Sequence, residues 1–150
     1  MIATESEQAP PRVTGVKILE KKTDKLIQHI SVECQLMGIN SISIGDFNFD
    51  GNPDFSLFEQ SYAGPNTTSL YFLYDPKTHK YFNSGWEGVS LDFDFVAKKV
   101  FERNSCCAGR TQTTATYKVV QNKLILIEEH CYTWDEKTEE LVERKMDECK

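Results

Sequence analysis

Apolar side chains recur at every second position in run after run of this chain, and that period suits one kind of element. A strand sends successive side chains to opposite faces, so alternation means one face buried and one wet. Val16 and Ile18 alternate with Gly15 and Lys17, and Ile30, Val32 and Cys34 with His29, Ser31 and Glu33. Leu70, Phe72 and Tyr74 share one face. Leu91, Phe93 and Phe95 alternate with Asp92 and Asp94, and Ala115, Tyr117 and Val119 with Thr114, Thr116 and Lys118. The continuous run Leu124-Ile125-Leu126-Ile127 predicts a central strand, apolar on both faces.

Turn chemistry separates the runs. Asp75-Pro76-Lys77-Thr78-His79 reads as a loop between two aromatic strands, and Gln121-Asn122 as a tight turn between residues 111–120 and 123–133. Asp135-Glu136-Lys137-Thr138 closes a further hairpin into residues 141–146. Residues 139–149 carry no helical stripe and read as a charged edge strand with a frayed end. Strands joined by local turns predict an all-β antiparallel meander, propeller-like or sandwich-like.

A length of 150 residues suits one domain. Residues 1–11, polar and carrying Pro10 and Pro11, read as a flexible tail before a single β-rich domain over residues 12–150. That start fits a mature secreted chain whose signal peptide has been removed; a cytosolic N-terminus is the other reading. No apolar run is long enough to span a membrane. The net charge is −6 and no basic run stands out, so nucleic acid is not expected as a partner. The acidic balance draws a basic partner or simply keeps the protein soluble.

The five cysteines (Cys34, Cys106, Cys107, Cys131, Cys149) form no CxxC pair, and three histidines accompany them. Structural zinc is therefore poorly supported, and an oxidising compartment is favoured. The hairpin at Gln121-Asn122 suggests a bridge from Cys106 or Cys107 to Cys131. Cys34 and Cys149 would make a second.

The sharpest local signal is Asp46-Phe47-Asn48-Phe49-Asp50-Gly51-Asn52-Pro53-Asp54. Oxygen-bearing side chains alternate at Asp46, Asn48 and Asp50, with Asp54 closing the loop and Asn52 offering a backbone carbonyl. Gly51 permits the sharp turn. This is the pattern of a Ca2+ loop, since the hard cation takes six to eight oxygen ligands. Two features set it apart from a helix-flanked site: Leu57 stands where a bidentate Glu would be, and both flanks read as short strands. It is thus expected as a structural inter-strand calcium loop, the alternative being a bare Asp/Asn/Gly turn. The second local feature is the loop Ser61-Tyr62-Ala63-Gly64-Pro65-Asn66-Thr67-Thr68. Its Tyr62 either reaches a partner or packs back onto the sheet. His29, His79 and His130 accompany no nucleophile motif, and no phosphate-binding glycine loop occurs, so an enzyme is not expected.

The stretch from Gly45 to Phe55, then Tyr62-Ala63-Gly64-Pro65-Asn66, then Tyr71-Phe72-Leu73-Tyr74-Asp75-Pro76-Lys77-Thr78-His79-Lys80-Tyr81-Phe82, resembles a family of bacterial envelope proteins. The family includes periplasmic immunity proteins that inhibit lysozyme-like effectors of secretion systems. They are similar in fold to invertebrate-type lysozyme inhibitors. The resemblance spans roughly residues 40–146. It implies calcium at Asp46, Asn48, Asp50 and Asp54, and a loop that enters the cleft of a peptidoglycan hydrolase. By position that loop holds Tyr62, Gly64 and Asn66. The expectation is a periplasmic inhibitor of a lysozyme-like hydrolase, the alternative a calcium-stabilised envelope or secreted module that binds a glycan or surface protein.

Overall fold

The computed structural model describes residues 2–6, 9–37, 41–62 and 64–149, with residues 2–6, 9 and 10 described as backbone alone. They form twelve strands: β1 (Ile2–Ser6), β2 (Ala9–Leu19), β3 (Leu26–Gln35), β4 (Ile42–Gly45), β5 (Asp54–Ser61), β6 (Thr67–Asp75), β7 (Lys80–Asn83), β8 (Asp92–Asp94), β9 (Lys99–Cys106), β10 (Thr111–Val120), β11 (Lys123–Asp135) and β12 (Glu140–Arg144). Every pairing is antiparallel between neighbours in sequence. Three meanders result, β1-β2-β3, β4-β5-β6-β7 and β8-β9-β10-β11-β12, and none closes into a barrel. The all-β meander read from alternation is the fold observed. No described helix is long and apolar enough to cross a membrane.

Alternation along the middle sheet feeds two separate cores. Phe55, Leu57 and Phe72 face Val13, Val16 and Cys34 of the first sheet. The intervening β6 residues Tyr71 and Leu73 join Phe47, against which Trp86, Leu91 and Phe93 pack. Leu57 and Leu73 are both wholly buried, each contributing about 1.5–3 kcal/mol of transfer free energy. Ring geometry follows the same split. Phe55 stacks on Phe72 at 4.8 Å in one core, and Phe47 meets Tyr71 edge-on at 5.2 Å in the other.

Several expectations need correction. Within residues 1–11, expected as a flexible tail, the described residues of β1 and the start of β2 run as paired strands, Thr4 opposite Arg12. Residues 125–127 are not a doubly covered centre: Ile125, Leu126 and Ile127 are between 41% and 48% exposed. The reason is length, because β12 pairs only with Cys131–Asp135 and leaves the first half of β11 as an edge. The end of the chain is not frayed either. A 3-10 turn at Met146–Cys149 returns it to β11. The strand β9 was not legible, since Val100 is its single buried residue.

The cysteine pairing also differs. Cys131 bonds Cys149, with Cα atoms 5.9 Å apart. Cys106 sits opposite Thr111, and Cys131 opposite Thr113 on the far side of the same strand β10. Two strand spacings, about 9–10 Å, then separate β9 from β11. That exceeds the reach of a disulfide. Cys34 lies buried in the first core, away from Cys149.

Candidate functional site

Pairing of Gly45 with Asp54 closes the loop over residues 46–54 at one end of the middle sheet. The Asp46 carboxylate accepts hydrogen bonds from the backbone N–H of Asp50 and Gly51, both at 2.9 Å. Asn48 Oδ1 accepts from Asp50 N–H at 3.2 Å, and Asn48 Nδ2 donates to Asp50 Oδ2 at 2.9 Å. Asn52 donates to Asp50 Oδ1 from its backbone N–H at 2.8 Å and from Nδ2 at 3.0 Å. Gly51, at φ 90°, takes the left-handed turn that its sequence position requires.

Asp54 plays a different part. It is 1% exposed, and both its oxygens are engaged by backbone donors. Phe47 N–H at 2.9 Å and Asn48 N–H at 3.3 Å meet Oδ2, while Tyr74 N–H at 2.8 Å meets Oδ1. Burial pushes its carboxyl up from the ordinary range, against the pull of these three donors. Asp54 thus staples the loop to β6 from beneath, while Asp46, Asn48 and Asp50 converge on the turn itself. Their donor set is entirely oxygen, the chemistry of a hard cation. Among the described residues no group of three or more His, Cys, Asp or Glu is disposed to hold a metal ion. A cation on this turn would therefore draw on the Asn48 amide and on backbone carbonyls as well as on Asp46 and Asp50.

Two residues that sequence reasoning did not single out secure this end. Asn48 Nδ2 also donates to Asn122 Oδ1 at 2.9 Å, and Trp86 Nε1 donates to the Asn122 carbonyl at 2.8 Å. Asn122 was legible only as a turn residue, and its φ of 61° confirms that turn.

The Tyr62 loop connects β5 to β6 at the opposite end of the middle sheet. Eight residues of β5 separate the two loops, about 24 Å of strand, so the Asp46 loop does not touch it. Tyr62 is 49% exposed, with its hydroxyl beside Gln60 of β5. Its N–H donates to the Asn66 carbonyl at 2.9 Å, and its hydroxyl accepts from Gln60. Gly64 is exposed at φ 79°. Ala63 lies outside the described residues.

Asn66, expected to face a partner, clamps onto β9 within the chain. Its Oδ1 accepts from Ser105 N–H at 3.0 Å, and its Nδ2 donates to the Ser105 carbonyl at 2.7 Å and to Asn104 Oδ1 at 3.0 Å. These bonds use the amide as a strand residue would, joining the middle and third sheets. Between the two lies an open groove of about 740 Å³, with Tyr62, Pro65 and Asn66 on one wall and Cys106, Cys107 and Gly109 on the other. The histidines stand elsewhere. His79 Nδ1 meets the Tyr74 hydroxyl at 2.8 Å, and His130 meets Glu143 at 2.6 Å. The Glu143 carboxylate raises the pKa of His130.

Fold and loops together define an all-β protein of three consecutive antiparallel meanders, with an oxygen-rich turn and an aromatic loop at opposite ends of the middle one. That fold is similar to the solved structure of a Xanthomonas Type IV secretion system related protein, at a TM-score of 0.57 and 14% identity. The match covers 96% of this chain and 85% of that one. No family model and no curated protein matches the sequence.

Proposed function

We propose that this chain is an envelope protein associated with bacterial secretion, and that it acts as an immunity protein blocking the cleft of a lysozyme-like peptidoglycan hydrolase. The observation that carries the proposal is the Tyr62 loop. A half-exposed tyrosine is presented on a loop whose base Asn66 ties to the backbone of β9. A loop held in this way loses little freedom on binding, and a tyrosine offers a large contact area and a hydroxyl. Hydrolase clefts of this class carry catalytic carboxylates that a hydroxyl or amide can meet. The fold shared with a secretion-system related protein and the Cys131–Cys149 bridge both favour an extracytoplasmic setting. Binding, not catalysis, is the proposed activity.

Calcium is part of the same proposal. Asp46, Asn48 and Asp50 would hold the ion through side-chain oxygens and Asn52 through its carbonyl. When bound, Ca2+ neutralises the paired carboxylates of the turn. Asp54 keeps the turn seated on β6 in either state. Because β5 separates the two loops, the ion stabilises the sheet as a whole and does not order Tyr62 by contact.

The deciding experiment titrates the purified chain into cell-wall hydrolysis by a lysozyme-like muramidase, alongside Tyr62→Ala. Stoichiometric inhibition that the variant loses supports the reading. Absence of inhibition across the muramidases of the host and of its secretion effectors would sink it. Binding to a glycan or surface protein would then favour the alternative, a calcium-stabilised envelope module.

A further inference from the structure

Of the five cysteines, two are bridged and one is sealed in a core. Cys34 is wholly buried, and burial pushes its thiol up to about 11, so it is inert. The remaining pair is different. Cys106 and Cys107 are adjacent and exposed, and they line the groove opposite Tyr62. One peptide link joins them, so their thiols face the same solvent-open groove within reach of each other. Cys131 is beyond their reach across β10, so within one chain they have only one another.

The backbone beneath them is unusual. Cys107 and Ala108 both stand at φ 56°, and Gly109 follows at φ 82°. Left-handed conformations in non-glycine residues are costly and persist only where surroundings enforce them. Here the turn is held by Arg110 N–H on the Cys107 carbonyl at 3.2 Å and Trp134 N–H on the Arg110 carbonyl at 2.7 Å.

We propose that Cys106 and Cys107 form a thiol–disulfide exchange site that takes small disulfides in the groove and closes to a vicinal disulfide. One sulfur attacks a small disulfide such as oxidised glutathione, forming a mixed disulfide and releasing one thiol. The second sulfur attacks that mixed disulfide, closing the ring and releasing the other thiol. The cysteines lose two electrons and two protons, and the small disulfide gains both. Adjacent Cα atoms are about 3.8 Å apart, closer than the roughly 4.4–6.8 Å of ordinary disulfides. The ring is therefore strained and readily reduced, unlike the Cys131–Cys149 bridge, whose Cys131 is wholly buried. The site stands independently of the inhibitor reading.

The test uses the full chain and the peptide that trypsin releases between Arg103 and Arg110, which contains both cysteines and no other. After oxidised glutathione, this peptide is expected two hydrogens lighter and closed to iodoacetamide. Dilute dithiothreitol is expected to restore two labels while Cys131–Cys149 stays intact. In Cys107→Ser the exchange is expected to stall, with one glutathione retained on Cys106. Two labels after oxidation, or glutathione retained on the wild-type peptide, would overturn the proposal.

Discussion

Asn48 in the turn after β4 donates its side-chain N–H to Asn122 Oδ1 at 2.9 Å, joining positions 74 residues apart. The bond fastens the oxygen-rich turn of the middle sheet to the β10–β11 hairpin of the third. Asn48 is 9% exposed, so its loss leaves polar atoms poorly solvated. Because Asn122 has a left-handed φ, glycine removes the side chain without backbone strain. Asn122→Gly is expected to lower stability by about 1–2 kcal/mol in urea unfolding. In a double-mutant cycle, Asn48→Ala with Asn122→Gly should cost less than the two added. Strict additivity would mean that the bond contributes nothing.

Chelation tests the cation. Any ligand of the native state alone stabilises it by mass action, about 2.7 kcal/mol at a hundredfold excess over its dissociation constant. For a chain of this size that corresponds to a Tm rise of about 5–10 °C. Excess chelator should remove the rise, and Asp46→Asn with Asp50→Asn should abolish it. A Tm indifferent to calcium, together with a metal assay showing no bound ion, would reduce the turn to a hydrogen-bonded loop.

The buried carboxyl of Asp54 gives a pH signature. Its pKa is raised in the native state, so the folded chain keeps this proton at pH values where the unfolded chain has released it. Its protonation therefore favours folding fully below the ordinary value of 3.8, and that contribution is lost as pH rises through the raised value. Asp54→Asn should flatten that part of the stability curve. The amide also sets an N–H against a backbone N–H of Phe47, Asn48 or Tyr74, at a cost of about 1–3 kcal/mol. Urea midpoints taken in chelator from about pH 4 to about pH 7 read both effects.

The Cys131–Cys149 bridge closes a separation of 18 residues. A loop of that size restrains the unfolded chain by about 3 kcal/mol. Cys149→Ser should lower unfolding stability by that amount and release the 3-10 turn Met146–Cys149, seen as faster hydrogen exchange there. An unchanged stability would mean that the bridge merely records proximity.

The period-two pattern of Ile30, Val32 and Cys34, or of Leu70, Phe72 and Tyr74, is decided by residues a few positions apart, and it carried the strands into the right places. So did the hairpins at Asp75-Pro76, Gln121-Asn122 and Asp135-Glu136, because turn conformation is set by local backbone preference. The Asp46 loop was equally visible, since its oxygens and Gly51 recur within one turn of chain. Everything that joins one meander to another was invisible. Which residues Asn66 and Asn48 would bond, that Tyr71 and Phe72 would enter different cores, and that Cys149 would find Cys131 all depend on sheet order and strand length. These are long-range choices, made by burial and by the satisfaction of polar groups across the assembled sheets. A single stretch of sequence holds only one of the two partners in each.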